Sequence, residues 1–469
     1  MVHAVVVGSG PNGLAAALTL AKAGVAVTVY ESADTPGGGA RSGEATLPGL
    51  MHDHCSGFHP LAVDNAFVTL AQLADYGLEW AWPEVQYAHP LDNGDGAAAV
   101  QSVDETARGV GDASWRHIFG SLTNQFPKIT RDFLQPMLRV PDAPLAFANF
   151  GLRAGLPAHL LTGLMRTEQA KALFAGVAAH AFRPLDSFGS AAIGVALTTA
   201  GHAYGWPVAK GGSAAIINAM VDALHAHEGK IVTNTHIESV QELPEADIVM
   251  LNTAPKAAAQ LMAPVIPGAI EHRLQSFRHG PGAATVSLAV EGGIPWTYKP
   301  ARHAGTVHVG GSSSEVAFVE RQITTGIMPR NPFVLVGQQS VADESRVNNG
   351  IHPVDAYAHV PAGYPHDATE VIVQQLERFA PGVRDRIVAH SSRTTLELEA
   401  QNPNFVGGDI VTGANAFDQL LFRPRPAINP YSLGVPGAYL CSAATPPGAG
   451  AHGMAGYNAA QAALAELQR

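Results

Sequence analysis

Six residues near the start of the chain, the stretch GSGPNG, have the types and spacing of a phosphate-binding loop. Gly8 permits a tight turn, Gly10 lets the backbone approach a pyrophosphate, and Gly13 lets a helix pack closely on a strand. The free N–H groups and the positive dipole end of that helix would face the phosphates. We therefore expect the loop to bind a dinucleotide. The expected contacts are Gly8, Ser9, Gly10, Pro11, Asn12 and Gly13.

The loop stands in the context that this motif requires. An apolar run at residues 4–7 precedes it, as a buried parallel strand would, and residues 13–23 repeat Ala and Leu at helical spacing. A second strand is predicted over residues 25–31, and Glu31 ends it. A carboxylate at that position accepts hydrogen bonds from ribose hydroxyls and repels a 2′-phosphate. The pattern predicts a β-α-β dinucleotide unit, with Glu31 and Ser32 at the ribose.

A second glycine motif, TPGGGARSG at residues 35–43, follows this carboxylate. Together the two motifs resemble the flavoprotein pattern GxGxxGLxxAxxLxxxGxxVxVxExxxxxGGxxRS. The resemblance implies that Gly38 and Gly39 pass close to a ribityl chain, and that Arg41 and Ser42 meet phosphate or the flavin region. A nicotinamide dehydrogenase has no need of this second motif, so FAD is the expected cofactor.

The C-terminal stretch GVPGAYLCSAATPPGAGAHGMAGYNAAQAAL, residues 434–464, is typical of a strand, a Gly/Pro turn and a helix. A helix N-terminus offers unpaired N–H groups and a favourable dipole to the negative charge near N1 and O2 of a reduced flavin. Glycines in the turn would keep the backbone close to the ring. The residues expected to contact the flavin here are Ala443, Gly448, His452, Gly453 and Met454.

Over essentially its whole length the chain resembles the phytoene-desaturase-related branch of the amine-oxidase-like FAD oxidoreductases. The segments KGGSAAIINAMVDALHAHEGKIVTNTHIESV, residues 210–240, and LEAQNPNFVGGDIVTGANAFDQLLFRPRP carry this resemblance. It implies that the helix after residues 211–212 returns to the nucleotide domain and that a strand near Ile237 bonds adenine through its backbone. A further strand, in ADIVMLNTA, brings Thr253 to the cofactor.

Two departures from the family pattern bear on the cofactor. Ser442, Ala443 and Ala444 follow the C-terminal strand, where many relatives carry an acid that binds phosphate or ribityl hydroxyls. Carotenoid desaturases often lack this acid too, so FAD remains the expectation. The C-terminal turn has no cysteine, which implies noncovalent FAD. Without a second GxGxxG after a strand, a dedicated NAD(P)H domain is not expected, and the electron acceptor is dioxygen, a quinone or free flavin.

The order of these motifs predicts the domain organisation of the 469 residues. We expect an α/β, Rossmann-like FAD-binding domain assembled from the discontinuous segments 1–75, 208–282 and 395–469. An α+β substrate domain, with a mixed sheet and helices, would be inserted as residues 76–207 and 283–394. The first of these two inserted segments is expected to be mostly helical.

The stretch MHDHCSGFHPLAVDN, residues 51–65, follows the second glycine motif and is expected beneath the flavin ring. A flavin accepts hydride at N5, and the protein then supplies position and a base for the second proton. His54 and His59 are the candidate bases, and His452 is a third candidate for proton transfer. A buried histidine that serves only packing is the competing interpretation for each of them.

Aromatic residues are expected around a substrate pocket, although core packing explains them equally well. The candidates for this pocket are Cys55, Tyr204, Trp206, Phe417 and Tyr457, with Phe405 and Phe422 in the same segments. The apolar residues 133–165 form either an access route for a lipophilic substrate or buried helices.

Composition limits the partners and the location. The net charge of −11 argues against nucleic acid. Only Cys55 and Cys441 are present, which excludes a disulfide framework and favours a reducing, cytoplasmic location. The first strand begins at residue 4, so no signal peptide is expected, and no apolar run is long enough for a membrane span. The scattered histidines predict no metal site. Peripheral membrane contact and homo-oligomer formation stay open.

Three functions remain from the sequence. The first is an FAD-dependent oxidoreductase that desaturates or saturates a carbon–carbon bond in a lipophilic, conjugated or aromatic small molecule. The second is an amine or amino-acid oxidase on the same fold, because fold does not dictate chemistry. The third is a non-catalytic prenyl-binding escort protein, against which the intact glycines, Glu31 and Arg41 argue.

Overall fold

The structure, a computed structural model, describes residues 2–468, so the predicted domain limits at residues 1 and 469 lie outside it. Its strands are β1 His3–Val7, β2 Ala26–Tyr30, β3 Ser42–Glu44, β4 Met51–Asp53, β5 Trp80–Ala81, β6 Val85–Pro90, β7 Gly96–Ala99, β8 Val208–Ala209, β9 Lys230–Val232, β10 Ile248–Leu251, β11 Gly282–Glu291, β12 Ala304–Val309, β13 Val334–Gly337, β14 Ile351–Val360, β15 Ile387–Arg393 and β16 Ala438–Leu440.

Helices connect and cover these strands. They are α1 Pro11–Lys22, α2 Ala66–Ala71, α3 Val103–Gly109, α4 Ala113–Phe133, α5 Pro144–Ala154, α6 Ala158–Gly163, α7 Glu168–Ala179, α8 Ala191–Ala203, α9 Ala214–Ala226, α10 Pro255–Leu261, α11 Gly268–Gln275, α12 Ser313–Thr324, α13 Thr369–Phe379, α14 Thr395–Gln401, α15 Phe417–Phe422 and α16 Met454–Leu467.

The first sheet is parallel and has the strand order β16-β10-β1-β2-β9. Its strands are short apolar runs because helices cover both faces, as in doubly wound folds. Helix α16 packs against the start of α1 so closely that a Cβ at Gly456 would lie 1.8 Å from the Asn12 carbonyl oxygen. The sheet therefore joins strands from the beginning, middle and end of the chain, and the predicted Rossmann-like α/β class is confirmed.

The second sheet has seven strands in the order β15-β11-β14-β13-β12-β6-β7. Its neighbours are antiparallel, except for β12 and β6, which run parallel. Tyr87 on β6 joins a core shared with α4, α7 and α8, whereas the next residue, Ala88, joins the core on the opposite face. The mixed sheet with helices that the sequence predicts is therefore present.

The segment 76–207 is mostly helical, as expected: it contains helices α3–α8 and contributes the three short strands β5, β6 and β7. One local expectation differs from the structure. The predicted strand near Ile237 is absent because β9 ends at Val232. Asn234 has a left-handed φ of 52°, and its N–H donates to the Ala33 carbonyl oxygen at 2.9 Å, so the chain turns back toward β2.

No helix in the described range 2–468 is long and apolar enough to cross a membrane. Within the same residues, histidine, cysteine, aspartate and glutamate side chains form no cluster of three or more that could hold a metal ion.

Candidate functional site

One cavity of about 790 Å³ runs along the carboxyl ends of the parallel strands and reaches one face of the seven-stranded sheet. The residues that follow β1, β2, β10 and β16, namely Gly8, Glu31, Asn252 and Ser442, all line it. This edge is where open α/β sheets bind their ligands. At the other end, Tyr357 of β14 lines the same cavity.

The glycine loop is as tight as its sequence predicts. Gly8 has a φ of +94°, and a Cβ at Gly13 would lie 2.0 Å from the Gly8 carbonyl oxygen. A Cβ at Gly10 would lie 2.9 Å from Asn252 Nδ2, and Gly10 faces the cavity. Pro11 and Asn12 also line the cavity, whereas Gly13 serves helix packing. The start of α1 is thus open to a phosphate group.

Glu31 is buried and held in place by backbone and hydroxyl groups. Its Oε2 accepts hydrogen bonds from the Ser9 N–H at 2.8 Å and the Ser9 hydroxyl at 2.6 Å. Its Oε1 accepts one from the Ala33 N–H at 2.9 Å, and Arg41 Nη2 lies 3.8 Å away. Ser9 does not line the cavity, so it positions the carboxylate, whereas Glu31 and Ser32 face the cavity.

Several buried polar atoms on the cavity wall have no partner among residues 2–468. They are Asn12 Oδ1, Arg41 Nε, Thr253 Oγ1, Thr306 Oγ1 and Thr412 Oγ1. A buried polar group without a partner costs free energy, so each of these atoms needs a ligand or water. Apart from Thr306, which lies on the seven-stranded sheet, these atoms and the glycine loop fit a long polar cofactor such as FAD.

The second glycine motif lies against the first. Gly38 has a φ of +54°, and a Cβ there would lie 3.0 Å from the Gly10 Cα. Gly38, Gly39 and Arg41 line the cavity. The predicted contact Ser42 does not, because its hydroxyl donates to Asp53 Oδ1 at 2.6 Å and is turned into the protein interior.

The C-terminal turn brings Ala443, Gly448 and His452 to the cavity. His452 Nδ1 accepts a hydrogen bond from the Met454 N–H at 3.1 Å, so the ring caps the start of α16. Burial lowers the pKa of His452 to about 4, so it is neutral at physiological pH. Gly453 and Met454 lie behind it, outside the cavity wall.

The two candidate bases of the 51–65 segment lie outside this cavity. His59 is buried, with its Nε2 3.0 Å from the Ser213 hydroxyl, and burial lowers its pKa to about 4. His54 lines an adjoining pocket of about 40 Å³ that shares Cys55 and Tyr357 with the cavity, and burial together with nearby Arg393 lowers its pKa.

The predicted substrate residues divide into two groups. Cys55 and Trp206 line the cavity, and burial raises the pKa of the Cys55 thiol to about 12, so it stays protonated. Tyr204, Phe417 and Tyr457 do not line it. The Tyr204 hydroxyl donates to Asp64, Phe417 packs on Phe188, and Tyr457 packs on the core of the first sheet. Of the other two aromatics, Phe405 lines the cavity and Phe422 does not.

Arg423 is the main cavity residue that the sequence did not indicate. It is buried, and its Nη2 donates to Asn415 Oδ1 at 2.9 Å. Burial lowers its pKa to about 10, which still leaves it charged. A Cβ at Gly448 would lie 3.0 Å from Arg423 Nη1, so the guanidinium lies beside the C-terminal turn. The surrounding FRPRP sequence carries no signal for this role.

Also missed were the backbone segment that contains Thr235 and His236, and the side chain of His180. Thr235 and Ile237 border the cavity beside Glu31, so Ile237 reaches the cavity from a loop and not from a strand. Only the family resemblance pointed to this loop.

The buried histidines predict loss of stability in acid. Burial places the pKa of His59 at about 4 in the folded state, below its ordinary value of 6.5. Between these pH values the unfolded chain binds a proton that the folded chain rejects, so stability falls as pH falls, by up to about 1.4 kcal/mol per pH unit. We expect the urea midpoint to decline over this window less steeply in His59→Gln than in wild type.

The matched control is His303→Gln, since the His303 side chain is 65% exposed. It should leave the slope of the wild-type profile unchanged. Equal slopes for wild type and His59→Gln would contradict the assignment of a neutral His59.

Comparison with known proteins agrees with this geometry. Residues 6–73 match the model of the NAD(P)-binding Rossmann-like domain. A pyridine nucleotide-disulfide oxidoreductase domain-containing protein 2 from Rattus norvegicus is 23% identical over 301 residues, which cover 56% of this chain and 52% of that protein. The chain thus matches about half the length of this relative and of its mouse counterpart.

A relative matched over nearly its whole length is phytoene dehydrogenase of Streptomyces griseus. It is 26% identical over 500 residues, which cover 96% of this chain and 92% of that protein. Among solved structures, putrescine oxidase bound to putrescine aligns over 100% of this chain and 99% of its own, with a TM-score of 0.62 and 17% identity. By sequence the chain is thus similar to phytoene dehydrogenase over nearly its whole length, and its fold is similar to that of putrescine oxidase.

Proposed function

We propose that this protein binds FAD noncovalently and dehydrogenates a carbon–carbon bond of a lipophilic or conjugated small molecule. One observation carries the proposal: a single cavity joins the glycine loop and Glu31 to an apolar region between α8 and the seven-stranded sheet. Cofactor and substrate would therefore meet inside one cavity.

The residues that would hold FAD follow the cavity from end to end. Gly10 and the free N–H groups of α1 would bind the pyrophosphate, and Glu31 would bind the adenosine ribose. Arg41 and the turn at residues 443–452 would border the rest of the molecule. When bound, FAD would supply a hydride acceptor at N5, and we propose dioxygen or a quinone as the final electron acceptor.

The far end of the cavity is suited to an apolar compound. Phe58, Leu61, Ile193, Leu197 and Leu335 line it. Such side chains exclude water and hold a substrate by its apolar surface, whereas a few polar groups orient it. The protein's contribution to the reaction would be this orientation and the exclusion of water.

The segment 133–165 offers a route for a lipophilic substrate. Phe133 and Leu134 line the cavity, so this segment reaches the interior. On the adjacent helix α5, Leu145 is 87% exposed and Leu152 is 74% exposed. We propose that this apolar surface guides the substrate from a lipid phase or a micelle to the cavity.

The charges in the cavity favour this function over amine oxidation. Two arginines line it: Arg41 lies 3.8 Å from Glu31 on the nucleotide side, and Arg423, beside the C-terminal turn, is the one that would repel an ammonium group. The carboxylates among the described lining residues, Glu31 and Glu238, belong to the nucleotide side. Putrescine oxidase shares the fold, so amine oxidation is retained as an outcome of the test.

We expect the purified protein to be yellow, to release FAD on denaturation, and to lose its flavin colour anaerobically with a conjugated or lipophilic donor. Cyclic amines should leave the colour unchanged. The test is a panel of polyenes, hydroxy compounds and amines, with dithionite reduction as the control for an accessible flavin.

Bleaching and peroxide release with amines alone would instead support amine oxidation. Failure to retain FAD, even when FAD is supplied, would overturn the proposal and would favour a non-catalytic binding protein.

A further inference from the structure

The substrate end of the cavity is formed by one face of the seven-stranded sheet. His308 on β12 is paired with Leu335 on β13, and Leu335 is paired with Tyr357 on β14. Residues directly opposite each other on neighbouring strands share a face, and so do residues two apart on one strand. Thr306 therefore projects from the same face as His308, Leu335 and Tyr357. Thr306, Leu335 and Tyr357 all line the cavity.

Two hydroxyl groups on this face lack a protein partner. Thr306 is only 1% exposed, and its Oγ1 is buried without a hydrogen bond. The Tyr357 hydroxyl makes no side-chain hydrogen bond within residues 2–468, and burial raises its pKa, so it remains protonated. A threonine hydroxyl and a tyrosine hydroxyl can each donate one hydrogen bond. An apolar wall with two such donors is suited to a ligand oxygen.

A pair of histidines stands beside these hydroxyls. His180 lines the cavity at the end of α7, and its Nε2 lies 2.9 Å from His308 Nε2, so one ring donates to the other. Helix α7 can approach β12 this closely because a Cβ at Gly176 would lie 2.7 Å from the His308 Cβ. Burial lowers the pKa of His180 to about 3. The pair is therefore neutral and adds polarity without charge.

The absence of a carboxylate at this end of the cavity restricts the ligand. The polar or amphipathic side chains that β12–β14 and the residues after α7 and α8 contribute to the described wall are Thr306, Tyr357, His180 and Trp206. An ammonium group buried there would lack a counter-charge, which is costly. A carbonyl or hydroxyl oxygen would lose little, because the hydroxyl donors replace its hydrogen bonds to water.

We propose that Thr306 and Tyr357, beside His180, form a site for a neutral carbonyl or hydroxyl oxygen on the lipophilic substrate. This oxygen site deepens the proposed function and rests on it for the apolar part of the substrate. It identifies the substrate class as an oxygenated lipophile, in preference to a pure hydrocarbon or an amine.

The test compares four compounds with one carbon skeleton: 1-tetralone, 1-tetralol, tetralin and 1-aminotetralin. Binding to the purified flavin-loaded protein is measured anaerobically by ligand-observed NMR. We expect 1-tetralone and 1-tetralol to bind wild type about five- to tenfold more tightly than tetralin, as a net hydrogen bond of about 1 kcal/mol implies. The amine should bind more weakly than either oxygenated compound.

Thr306→Val keeps the shape of the side chain and removes the hydroxyl. It should weaken 1-tetralone binding about five- to tenfold, the amount expected of one lost hydrogen bond, and leave tetralin binding unchanged. Tyr357→Phe is the second variant, with the same expectation. Thr198→Val is the matched control, because Thr198 Oγ1 is also buried without a partner, but Thr198 lines neither the cavity nor the pocket of about 40 Å³.

Equal affinity of wild type for tetralone and tetralin would overturn the oxygen site. An equal effect of Thr306→Val on both compounds would overturn it too, since that would be a packing effect. Because the measurement needs no turnover, a preference for oxygen without flavin bleaching by any donor would uphold the site and count against the redox function.

Discussion

Alanine at position 13 is expected to abolish retention of FAD. The new Cβ would lie 2.0 Å from the Gly8 carbonyl oxygen and 3.1 Å from the Asn252 Cβ. Both contacts lie in rigid backbone or short side chains, so α1 must move away from the loop. We expect the binding free energy of FAD to weaken by more than about 3 kcal/mol, which lowers the FAD affinity by more than roughly 100-fold. Flavin fluorescence titration of the apoprotein measures it.

Gly151→Ala is the control for this substitution. Gly151 lies in α5, and a Cβ there would meet nothing within 4 Å. This variant should bind FAD as wild type does, because alanine is favourable in a helix. Wild-type FAD affinity in Gly13→Ala would show that the loop does not form the dinucleotide site.

The nucleotide end of the cavity could be predicted because its geometry depends on the backbone conformation of residues that are close in sequence. Gly8, Gly10 and Gly38 are required where the chain turns with positive φ or where two loops meet without side chains. Glu31 follows from its place at the end of a strand. These requirements depend on neighbours close in sequence, so residue type alone reveals them.

The catalytic region could not be predicted in this way. His54 and His59 follow the second glycine motif, but their surroundings come from distant segments. His52, in the same hairpin, bonds Asp355 at 2.8 Å, and His59 bonds Ser213. Whether a histidine faces a cavity or a buried carboxylate depends on these long-range partners, and a single sequence does not show them.

The substrate end depends on the register between strands, which residues close in sequence do not reveal either. Thr306 reaches the cavity because β12 runs parallel to β6 and antiparallel to β13. A shift of one residue would turn it into the opposite core. Arg423 likewise lines the cavity because Asn415 and the C-terminal turn surround its guanidinium group. From the sequence alone, this arginine would be predicted to lie on the surface.

Asp53 links the segments that carry the cavity. Its Oδ1 accepts hydrogen bonds from the Ser42 hydroxyl at 2.6 Å and the Ser213 N–H at 2.7 Å. Its Oδ2 accepts one from Arg346 Nη1 at 2.7 Å. Arg346 also donates to the Ala209 carbonyl oxygen at 3.1 Å, so one ion pair connects the loop after β13 to β4 and to the start of α9.

Removal of one partner from this pair should therefore unfold the protein more readily than most substitutions. The side chains of Arg346 and Asp53 are 1% and 0% exposed. Arg346→Met would leave Asp53 as a buried carboxylate without its cation, at a cost of about 3–5 kcal/mol. We expect a correspondingly lower urea midpoint, measured by circular dichroism, and a loss of FAD retention on mild heating.

Two further variants separate charge from packing. Arg346→Met combined with Asp53→Asn removes both charges, while the new amide oxygen can still accept the bonds made to Oδ1. The double variant should recover part of the lost stability, because the penalty arises from the isolated charge. Arg384→Met breaks a pair with Glu370 in which the side chains are 49% and 62% exposed, and it should hardly change the midpoint, because solvent screens such pairs. If Arg346→Met lowered the urea midpoint no more than Arg384→Met, the buried ion pair would not be what stabilises the contact of the loop after β13 with β4 and α9.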